Sequence, residues 1–291
     1  MFNTLVVLVG VCWRVASSKV VGGAVLPHGD FAYNPELARN GSWVVHVGAI
    51  VAGKYIQSLE ADVIVLITPH GQAVSNDFAI YTNSKLHGST VIENETITAQ
   101  GTVATDIVDD LFTSGLCRNC TKLSTFENSE PQPIRWGEII PLHFLPKEPR
   151  FIIISVPSKR HESTSDMTPE LVELGEGLFT YFESRPERFA FVGSSDLAHT
   201  HLESGPYGFS KTAKPFDDAV CKWASDPLKN GHLLLNFARK LVDQALSCGY
   251  SSLVVLHSLM VAGYKFEKYE WNPQQLACAH PTYYGMLVSF F

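Results

Sequence analysis

The sequence predicts an α/β fold: a single-domain sandwich with a largely parallel central sheet flanked by helices, plus a β-hairpin excursion. Three observations support this prediction. Apolar runs of strand length recur along the chain, helical patterns lie between several of them, and 45% of the 291 residues are hydrophobic against 18% charged. The order strand, helix, strand, helix is typical of parallel sheets covered by helices, and a chain of this composition can bury a sizeable core.

The predicted strands are continuous apolar runs, as in strands that are covered on both faces. Five runs have this character: KVVGGAVLP (19–27), ADVIVLITP (61–69), RFIIISVP (150–157), RFAFVGSS (188–195) and YYGMLVSFF (283–291).

Residues 74–104 differ, because they are rich in Thr, Asn and Gly with alternating apolar positions. This pattern predicts the β-hairpin excursion. Residues 113–137 form a polar, Pro-containing segment that we expect to be a loop, and it contains Cys117 and Cys120 in the sequence CRNC. A single C-x-x-C pair is a poor zinc signal. The pair is either a loop dithiol or a short disulfide.

Helix signals are clearest after residue 167. Thr168 is a suitable N-cap, Pro169 suits the first turn, and apolar residues follow at helical spacing until Pro186. Two further helices are predicted over 216–226 and 231–249, the second with Gly249 as its C-terminal cap. With no internal repeat and no clear linker, one domain over 19–291 is expected.

The charge balance excludes one class of partner. The net charge is −7 and the isoelectric point is near 5.9, whereas nucleic-acid binding requires a positive surface. Residues 1–18 contain an apolar run that is too short to span a bilayer and resemble either a signal peptide or a plain N-terminal extension. The first interpretation implies the secretory pathway and the second a cytoplasmic protein, so localisation stays open.

Polar residues follow three of the predicted strands. The first strand ends in His28 and Asp30, the second in His70, and a later one in Asp196 and His199. In open α/β sheets, ligands bind outside the carboxyl ends of the strands. A single histidine at such a position is usually structural, but the repeated Pro-His-Gly sequence and the Asp-x-x-His sequence indicate a shared site. Two neutral imidazoles suit Fe(II), Zn(II) or Cu(II).

The chain resembles the class III extradiol ring-cleavage dioxygenases of the protocatechuate 4,5-dioxygenase catalytic-subunit type, and also the Memo-type metal-binding proteins. The resemblance extends in family order over nearly the whole chain from residue 20. It rests on AVLPHGD, VLITPHG, RWGEIIPLHFLP, FVGSSDLAH, LSCGYSSLVVLHSLM and PTYYGMLVSFF.

The resemblance implies a metal site with His28 and His70 as ligands. His199 would be the acid/base that handles a catechol proton, with Asp196 orienting it or working beside it. It implies Fe(II) as the cofactor, with O2 and a small aromatic molecule as substrates, within an extradiol dioxygenase-like domain over 19–291. Independently of the resemblance, no membrane span is expected, and the chain is a candidate to form a homo-oligomer.

Two departures from the dioxygenase pattern favour alternatives. The segment ALSCGYSS has no glutamate to serve as third ligand but contains Cys248, as in the Memo-type relatives, and a thiolate shifts metal preference towards copper or zinc. Trp136 stands where many dioxygenase relatives have a substrate-binding histidine. The alternatives are therefore a Memo-like redox or peptide-binding protein using His28, His70 and Cys248, or a relative without catalysis.

The remaining candidates are assigned structural roles. We expect Cys278 to be a buried thiol, His280 a turn residue, His201 part of a surface loop and His143 a side chain packed beside a strand. The alternatives are that Cys278 or His280 approaches the pocket, that His201 lines its mouth, and that His143 partly replaces the histidine missing at position 136. The other histidines are expected to be structural or exposed to solvent: His46, His87, His161, His232 and His257.

Overall fold

The main sheet has eight strands, with its most buried strands at the centre. A computed structural model describes residues 18–37, 41–127, 129–158, 161–266 and 269–291. The strand order is β10-β11-β1-β9-β2-β8-β3-β6. The strands of this sheet are β1 (Val20–Leu26), β2 (Val63–Thr68), β3 (Phe78–Tyr81), β6 (Cys120–Leu123), β8 (Arg150–Ser155), β9 (Phe189–Ser194), β10 (Gln274–Ala279) and β11 (Met286–Phe290).

The four central strands β1, β9, β2 and β8 run parallel, which confirms the predicted sheet. Antiparallel neighbours flank them: β11 pairs with β1 on one side and β3 with β8 on the other. The predicted strand over 283–291 therefore exists, but it runs opposite to the centre. Because β9 lies between β1 and β2, the carboxyl ends of these three strands are adjacent.

The predicted hairpin excursion is confirmed as a second, smaller sheet. Strand β4 (Lys85–Ile92) pairs antiparallel with β5 (Glu95–Thr102), and β7 (Gln132–Pro133) adds a short third strand. The segment predicted as a loop over 113–137 contributes β6 and β7, so it is partly wrong as a loop assignment. Four-residue and two-residue strands carry too little periodicity for sequence analysis to detect.

Helices cover both faces of the main sheet. They are α1 (Asp30–Tyr33), α2 (Ser42–Ser58), α3 (Thr105–Ser114), α4 (Trp136–Phe144), α5 (Thr168–Glu183), α6 (Ala213–Ser225), α7 (Val242–Ala245) and α8 (Tyr250–Lys265). The pairs α2 with α4 and α5 with α8 pack against opposite faces, and the two faces have separate hydrophobic cores. No helix in the described part of the chain is long and apolar enough to cross a bilayer.

The predicted single helix over 231–249 is wrong. A π-helical turn (Leu233–Phe237) and a 3-10 turn (Ala238–Lys240) precede the four-residue α7, and Leu246 then adopts a left-handed conformation with φ 56°. Gly249 is therefore no C-terminal cap; it comes immediately before α8. Thr168 likewise is the first residue of α5 and not its N-cap, and its hydroxyl donates to the carbonyl of Ser165.

Two disulfides join four of the five described cysteines. Cys117 pairs with Cys120, which resolves the CRNC sequence as a short disulfide. Cys221 on α6 pairs with Cys278 on β10, so the expectation that Cys278 is a simple buried thiol is wrong. The partners lie 57 residues apart in sequence, and only the tertiary fold brings their Cα atoms to 6.1 Å. The proposed signal segment over 1–18 lies, apart from Ser18, outside the described residues.

Candidate metal centre

The candidate site is built at the carboxyl ends of three adjacent parallel strands. His28 follows β1, His70 follows β2, and Asp196 and His199 follow β9, which lies between them. Each strand is fully or almost fully buried along its length and ends where the chain turns. The strand-end residues therefore converge, as expected for open α/β sheets.

Two imidazoles and one thiol converge at this edge. Ligand-competent atoms of His28, His70 and Cys248 all lie within 4.8 Å of one another. The His28 Nε2 atom is 3.2 Å from the Cys248 Sγ atom, and the two imidazole rings meet edge to face with centroids 4.8 Å apart. These separations are on the scale of about twice a metal–ligand bond of ~2.0–2.3 Å. The cluster could therefore hold a metal ion.

The backbone of Asp196 positions Cys248. Its carbonyl oxygen accepts hydrogen bonds from the Gly249 amide at 2.9 Å and the Ser247 hydroxyl at 3.0 Å, and the Cys248 thiol points at the same oxygen from 3.7 Å. A side chain at position 249 would place Cβ 2.7 Å from this oxygen and still closer to Ser195. Glycine after the cysteine is therefore required by the close approach of the two chains.

Ser194 determines which nitrogen of His28 faces the cluster. The Ser194 hydroxyl donates to the carbonyl oxygen of Gly137 at 2.6 Å, which uses its only hydrogen. Its contact with His28 Nδ1 at 2.8 Å must therefore be a hydrogen bond that the imidazole donates. With the proton on Nδ1, the neutral ring presents the lone pair of Nε2 towards Cys248. Such hydrogen bonds outside the ligand set commonly fix a ligand histidine.

The carboxylate of Asp196 contacts His28. Among the described residues it forms no hydrogen bond with His199. Its Oδ1 atom accepts the backbone amide of His28 at 3.2 Å, and its Oδ2 atom lies 3.4 Å from His28 Nε2. Burial raises the pKa of Asp196 to about 7, against the influence of a charge on His199 and of amide hydrogen bonds. Asp196 therefore borders the cluster directly, a fourth group next to the three.

Burial keeps the two imidazoles neutral. Burial, with a smaller contribution from neighbouring histidines, lowers the pKa of both His28 and His70 to about 3. Burial also raises the pKa of the Cys248 thiol well above its ordinary value, with the negative charge of Asp196 adding to the effect. At neutral pH the cluster thus offers two imidazole lone pairs and a thiol whose proton a cation would displace.

His199 lines the same cavity. Its Nδ1 atom lies 2.9 Å from the carbonyl oxygen of Leu197, so Nδ1 carries a proton and the neutral ring keeps its lone pair on Nε2. The ring stacks on Tyr284 with centroids 5.5 Å apart at an angle of 14°. His199 is therefore oriented by contacts of its own, and it lines the cavity with an available base.

A cavity of about 380 Å³ contains the cluster. Trp136, at the start of α4, forms one wall, where its ring stacks on His70 with centroids 5.2 Å apart. Three tyrosines also line the cavity. The cavity is lined by His28, Gly29, Asp30, His70, Trp136, Asp196, His199, Tyr207, Leu246, Cys248, Tyr283 and Tyr284. The lining combines polar groups with large aromatic rings, which suits a planar molecule with polar substituents.

The other candidates lie outside the cluster. The expectation of a surface loop for His201 is wrong, because its Nε2 atom lies 2.7 Å from Asp217 and only 5% of its side chain is exposed. His280 stacks on His201 with centroids 4.3 Å apart. His143 lies on α4 and contacts the ring of Tyr33, so it does not replace a pocket histidine. His257 is buried and accepts a hydrogen bond from Trp223, as a structural histidine should.

Sequence reasoning missed three residues of the site. The sequence predicts Ser194 only as part of a buried strand, and nothing in it signals the hydrogen bond to His28. It indicates Trp136 only as a lost histidine, whereas the side chain lines the cavity. The predicted helix over 231–249 contains Leu246, which instead lines the cavity, and its position two residues before Cys248 is the one available signal.

The fold and part of the sequence are similar to known proteins. No family model matches the chain. It is 29% identical to protein CA_C1420 of Clostridium acetobutylicum over 125 residues, which cover 41% of this chain and 24% of that protein. This chain thus matches about a quarter of the length of that relative. A crystal structure of an uncharacterized protein, JW3007 from Escherichia coli K12, superposes with a TM-score of 0.56 at 12% identity, covering 93% of this chain and 99% of that one. The second likeness concerns the fold alone.

Proposed function

We propose that this protein is a metal-dependent oxidoreductase with one cation bound by His28, His70 and Cys248. The observation that carries the proposal is the convergence of two neutral imidazoles and one thiol in a single cavity. Buried residues with strongly shifted pKa values that share a cleft are candidates for function. The resemblance to Memo-type proteins, which also have cysteine in this segment, supports the same ligand set.

The donor set favours copper. A thiolate with two imidazoles selects soft or borderline cations, copper and zinc before Fe(II), and of these two only copper changes its oxidation state under biological conditions. When bound, copper supplies one-electron redox chemistry and a binding position for a phenolic oxygen. The hydrogen bonds that His28 donates to Ser194 and that His199 donates to the Leu197 carbonyl hold the two rings in fixed tautomers, so the chain itself determines where protons can be accepted.

The proposed substrates are small catechol-type molecules. Trp136 and Tyr284 provide flat surfaces for a ring, and His199 Nε2 is the base that accepts a hydroxyl proton. In the overall reaction a catechol loses two electrons and two protons to become a quinone. O2 takes up the two electrons and the two protons and leaves as hydrogen peroxide, so atoms and electrons balance.

A second candidate is Fe(II)-dependent extradiol ring opening. It is favoured by the position of His199, whose unprotonated Nε2 in the cavity suits the acid/base role that the dioxygenase resemblance implies. The thiol in place of a carboxylate is the observation against it. In that reaction both atoms of O2 enter the product, whereas the first candidate leaves the carbon skeleton and its oxygen content unchanged.

One experiment separates the candidates. Purified protein is analysed for metal content, and the metal-free protein is then loaded separately with Cu(II), Zn(II) or, without air, Fe(II). Oxygen uptake is measured with a panel of catechols, and the molecular mass of each product is determined by mass spectrometry. We expect one copper per chain and a product two hydrogens lighter than the substrate. Iron with a product that gains two oxygens would establish ring opening instead.

The matched variants are Cys248→Ser and Ser247→Ala. Cys248→Ser removes the proposed thiolate and should abolish stoichiometric copper binding. Ser247→Ala alters the neighbouring residue, whose hydroxyl also contacts the Asp196 carbonyl, but leaves the three ligands in place and should retain the metal. No metal binding by the wild-type protein after loading would overturn the proposal and leave a relative without a metal-dependent activity.

A further inference from the structure

Leu246 occupies a conformation that a leucine rarely adopts. Four described residues other than glycine have positive φ angles, and Leu246, at 56°, is the one apolar residue among them. The other three are polar turn residues: Glu60, Glu93 and Asn119. Leu246 is the residue that ends α7 with ψ 43°, a position where helices usually have glycine or asparagine. The left-handed conformation is unfavourable for a leucine side chain.

The fold places this side chain at the mouth of the cavity. Leu246 lines the cavity, yet 46% of it is exposed to solvent, so core packing does not explain the leucine. Strain that is retained without a packing benefit is commonly associated with a functional site. Only Ser247 separates Leu246 from Cys248. The left-handed conformation of Leu246 therefore also sets the direction in which the chain leads to the proposed ligand.

Two aromatic residues complete an apolar mouth. Tyr207 and Trp136 also line the cavity and are 58% and 41% exposed. Tyr207 lies on the loop after β9 next to Gly208, whose φ is 71°, and its ring meets the His199 ring edge to face at 5.9 Å. Large apolar groups that remain exposed around a cavity commonly mark a binding surface. We call the exposed side chains of Trp136, Tyr207 and Leu246 the apolar mouth.

The floor of the same cavity is polar. His28, His70, Asp196 and Cys248 lie there, and His28 and Asp196 are each 2% exposed. A molecule that fills the cavity thus meets metal-binding and proton-accepting groups at its inner end, and at its outer end the apolar mouth together with the exposed Asp30. The two ends are continuous, so one ligand contacts both.

We infer that the apolar mouth binds a nonpolar substituent of the substrate, so the favoured substrates are alkyl- or aryl-substituted catechols and not catechol itself. This inference rests on the proposed function, since the inner end of such a molecule binds at the His28, His70 and Cys248 cluster. Leu246 is the principal specificity residue. Its unfavourable backbone conformation presents a flexible apolar side chain to the substituent, beside the rings of Tyr207 and Trp136.

The test uses the zinc-loaded protein, because zinc is redox-silent and binding is then measured without turnover. Dissociation constants for catechol and 4-butylcatechol are determined by calorimetric titration in the absence of oxygen. Partial burial of the butyl group, three methylenes and one methyl, predicts about tenfold tighter binding of 4-butylcatechol. In Leu246→Asn the ratio of the two constants should fall to about one to threefold, and Tyr207→Ala should lower it as well.

Stability separates specificity from a structural role. Asparagine tolerates the left-handed conformation better than leucine, so Leu246→Asn should melt at the same temperature as the wild type or higher, with its zinc content retained. Phe266→Ala removes a similarly exposed ring, 51% exposed and outside the cavity lining, and should leave the affinity ratio unchanged.

The outcomes distinguish the two proposals. Wild-type protein that binds zinc and both catechols with equal affinity overturns this inference and leaves the proposed function standing. Wild-type protein that binds no zinc overturns both. A Leu246→Asn variant that loses stability or zinc while keeping the preference for 4-butylcatechol shows that Leu246 is structural, and it likewise overturns the inference.

Discussion

The hydroxyl of Ser194 accepts a hydrogen bond from Nδ1 of His28 at 2.8 Å, because its own hydrogen is donated to a backbone carbonyl. This relationship decides which nitrogen of a buried imidazole can bind a cation. It also joins the end of strand β9 to His28, two residues beyond the end of the neighbouring strand β1.

Ser194→Ala should weaken metal binding about 10- to 100-fold, which is the usual effect of removing such a hydrogen bond to a ligand histidine. Without it, the proton of His28 is free to occupy Nε2 and block the lone pair. Affinity is measured by competition with a chelator of known strength. Ser252→Ala removes another buried hydroxyl, one that donates to the backbone carbonyl of Ser194, and should leave the affinity within about threefold. Equal losses in both variants would contradict the tautomer explanation.

Metal binding at pH 8 should release about one proton per chain. His28 and His70, with pKa values of about 3, are already neutral there, and Asp196, with a pKa of about 7, is largely ionised. The thiol of Cys248, whose pKa is raised, supplies the proton that the cation displaces. Calorimetric titrations of Zn(II) in buffers with different ionisation enthalpies give the number. Residual binding in Cys248→Ser should release none, and an unchanged value there would exclude the thiolate as a ligand.

Substitutions of the three histidines should separate metal binding from turnover. His28→Ala and His70→Ala remove proposed ligands, so each should lose stoichiometric metal. His199→Ala should retain the metal and lower kcat by about 10²- to 10⁴-fold, the usual contribution of a general acid or base. Metal content by elemental analysis and initial rates of oxygen uptake check both expectations. Loss of metal in His199→Ala would assign that residue to the ligand set instead.

His257 should make the protein less stable as the pH falls. Burial lowers its pKa to about 4, and its Nδ1 atom accepts a hydrogen bond from Trp223 that a protonated Nδ1 could not accept. Between the pKa of about 6.5 in the unfolded chain and the folded value, only the unfolded state binds this proton. The stabilising effect of the neutral ring is therefore full above pH 6.5 and is lost towards pH 4.

The matching measurement compares wild type with His257→Gln in denaturant titrations across pH. Asp196 and Glu138, whose pKa values are raised to about 7, act in the opposite direction, but they cancel in the difference. The difference in unfolding free energy should be constant from pH 7 to 8 and should then change by about 1.4 kcal/mol per pH unit below 6.5. A constant difference down to pH 4.5 would show that the folded His257 accepts the proton.

The two disulfides should contribute unequally to stability. Loop closure predicts about 4 kcal/mol for Cys221–Cys278, which spans 57 residues, and about 2 kcal/mol for Cys117–Cys120, which spans 3. Double substitutions to serine, one pair at a time, remove each bridge, and denaturant titration without reductant measures the loss. The short bridge is the control for general effects of removing cysteines. A greater loss on removal of the short bridge would contradict the loop-closure account.

Much of the fold could be predicted from local patterns. Five predicted strands are buried on both faces in the structure: β1, β2, β8, β9 and β11. Because both faces of such a strand require apolar side chains, each appears in the sequence as a continuous apolar run. The broken helix around Leu246 was not predictable in this way, because the residues 231–249 have a helical pattern and only contacts made by Ser247 and Gly249 with Asp196 show where the chain must turn.

The sequence by itself determined the parallel sheet and the places where His28, His70 and His199 follow its strands, because strand ends and turn residues are local properties of the chain. The sequence offered Cys248 as an alternative third ligand, and the tertiary structure brings its thiol to the two imidazoles. Only the tertiary structure decided that Ser194 orients one of them and that Cys278 pairs with Cys221. These relationships join residues between 57 and 220 positions apart. They depend on the strand order that inserts β9 between β1 and β2, and the spacing of residues along one chain does not encode that order.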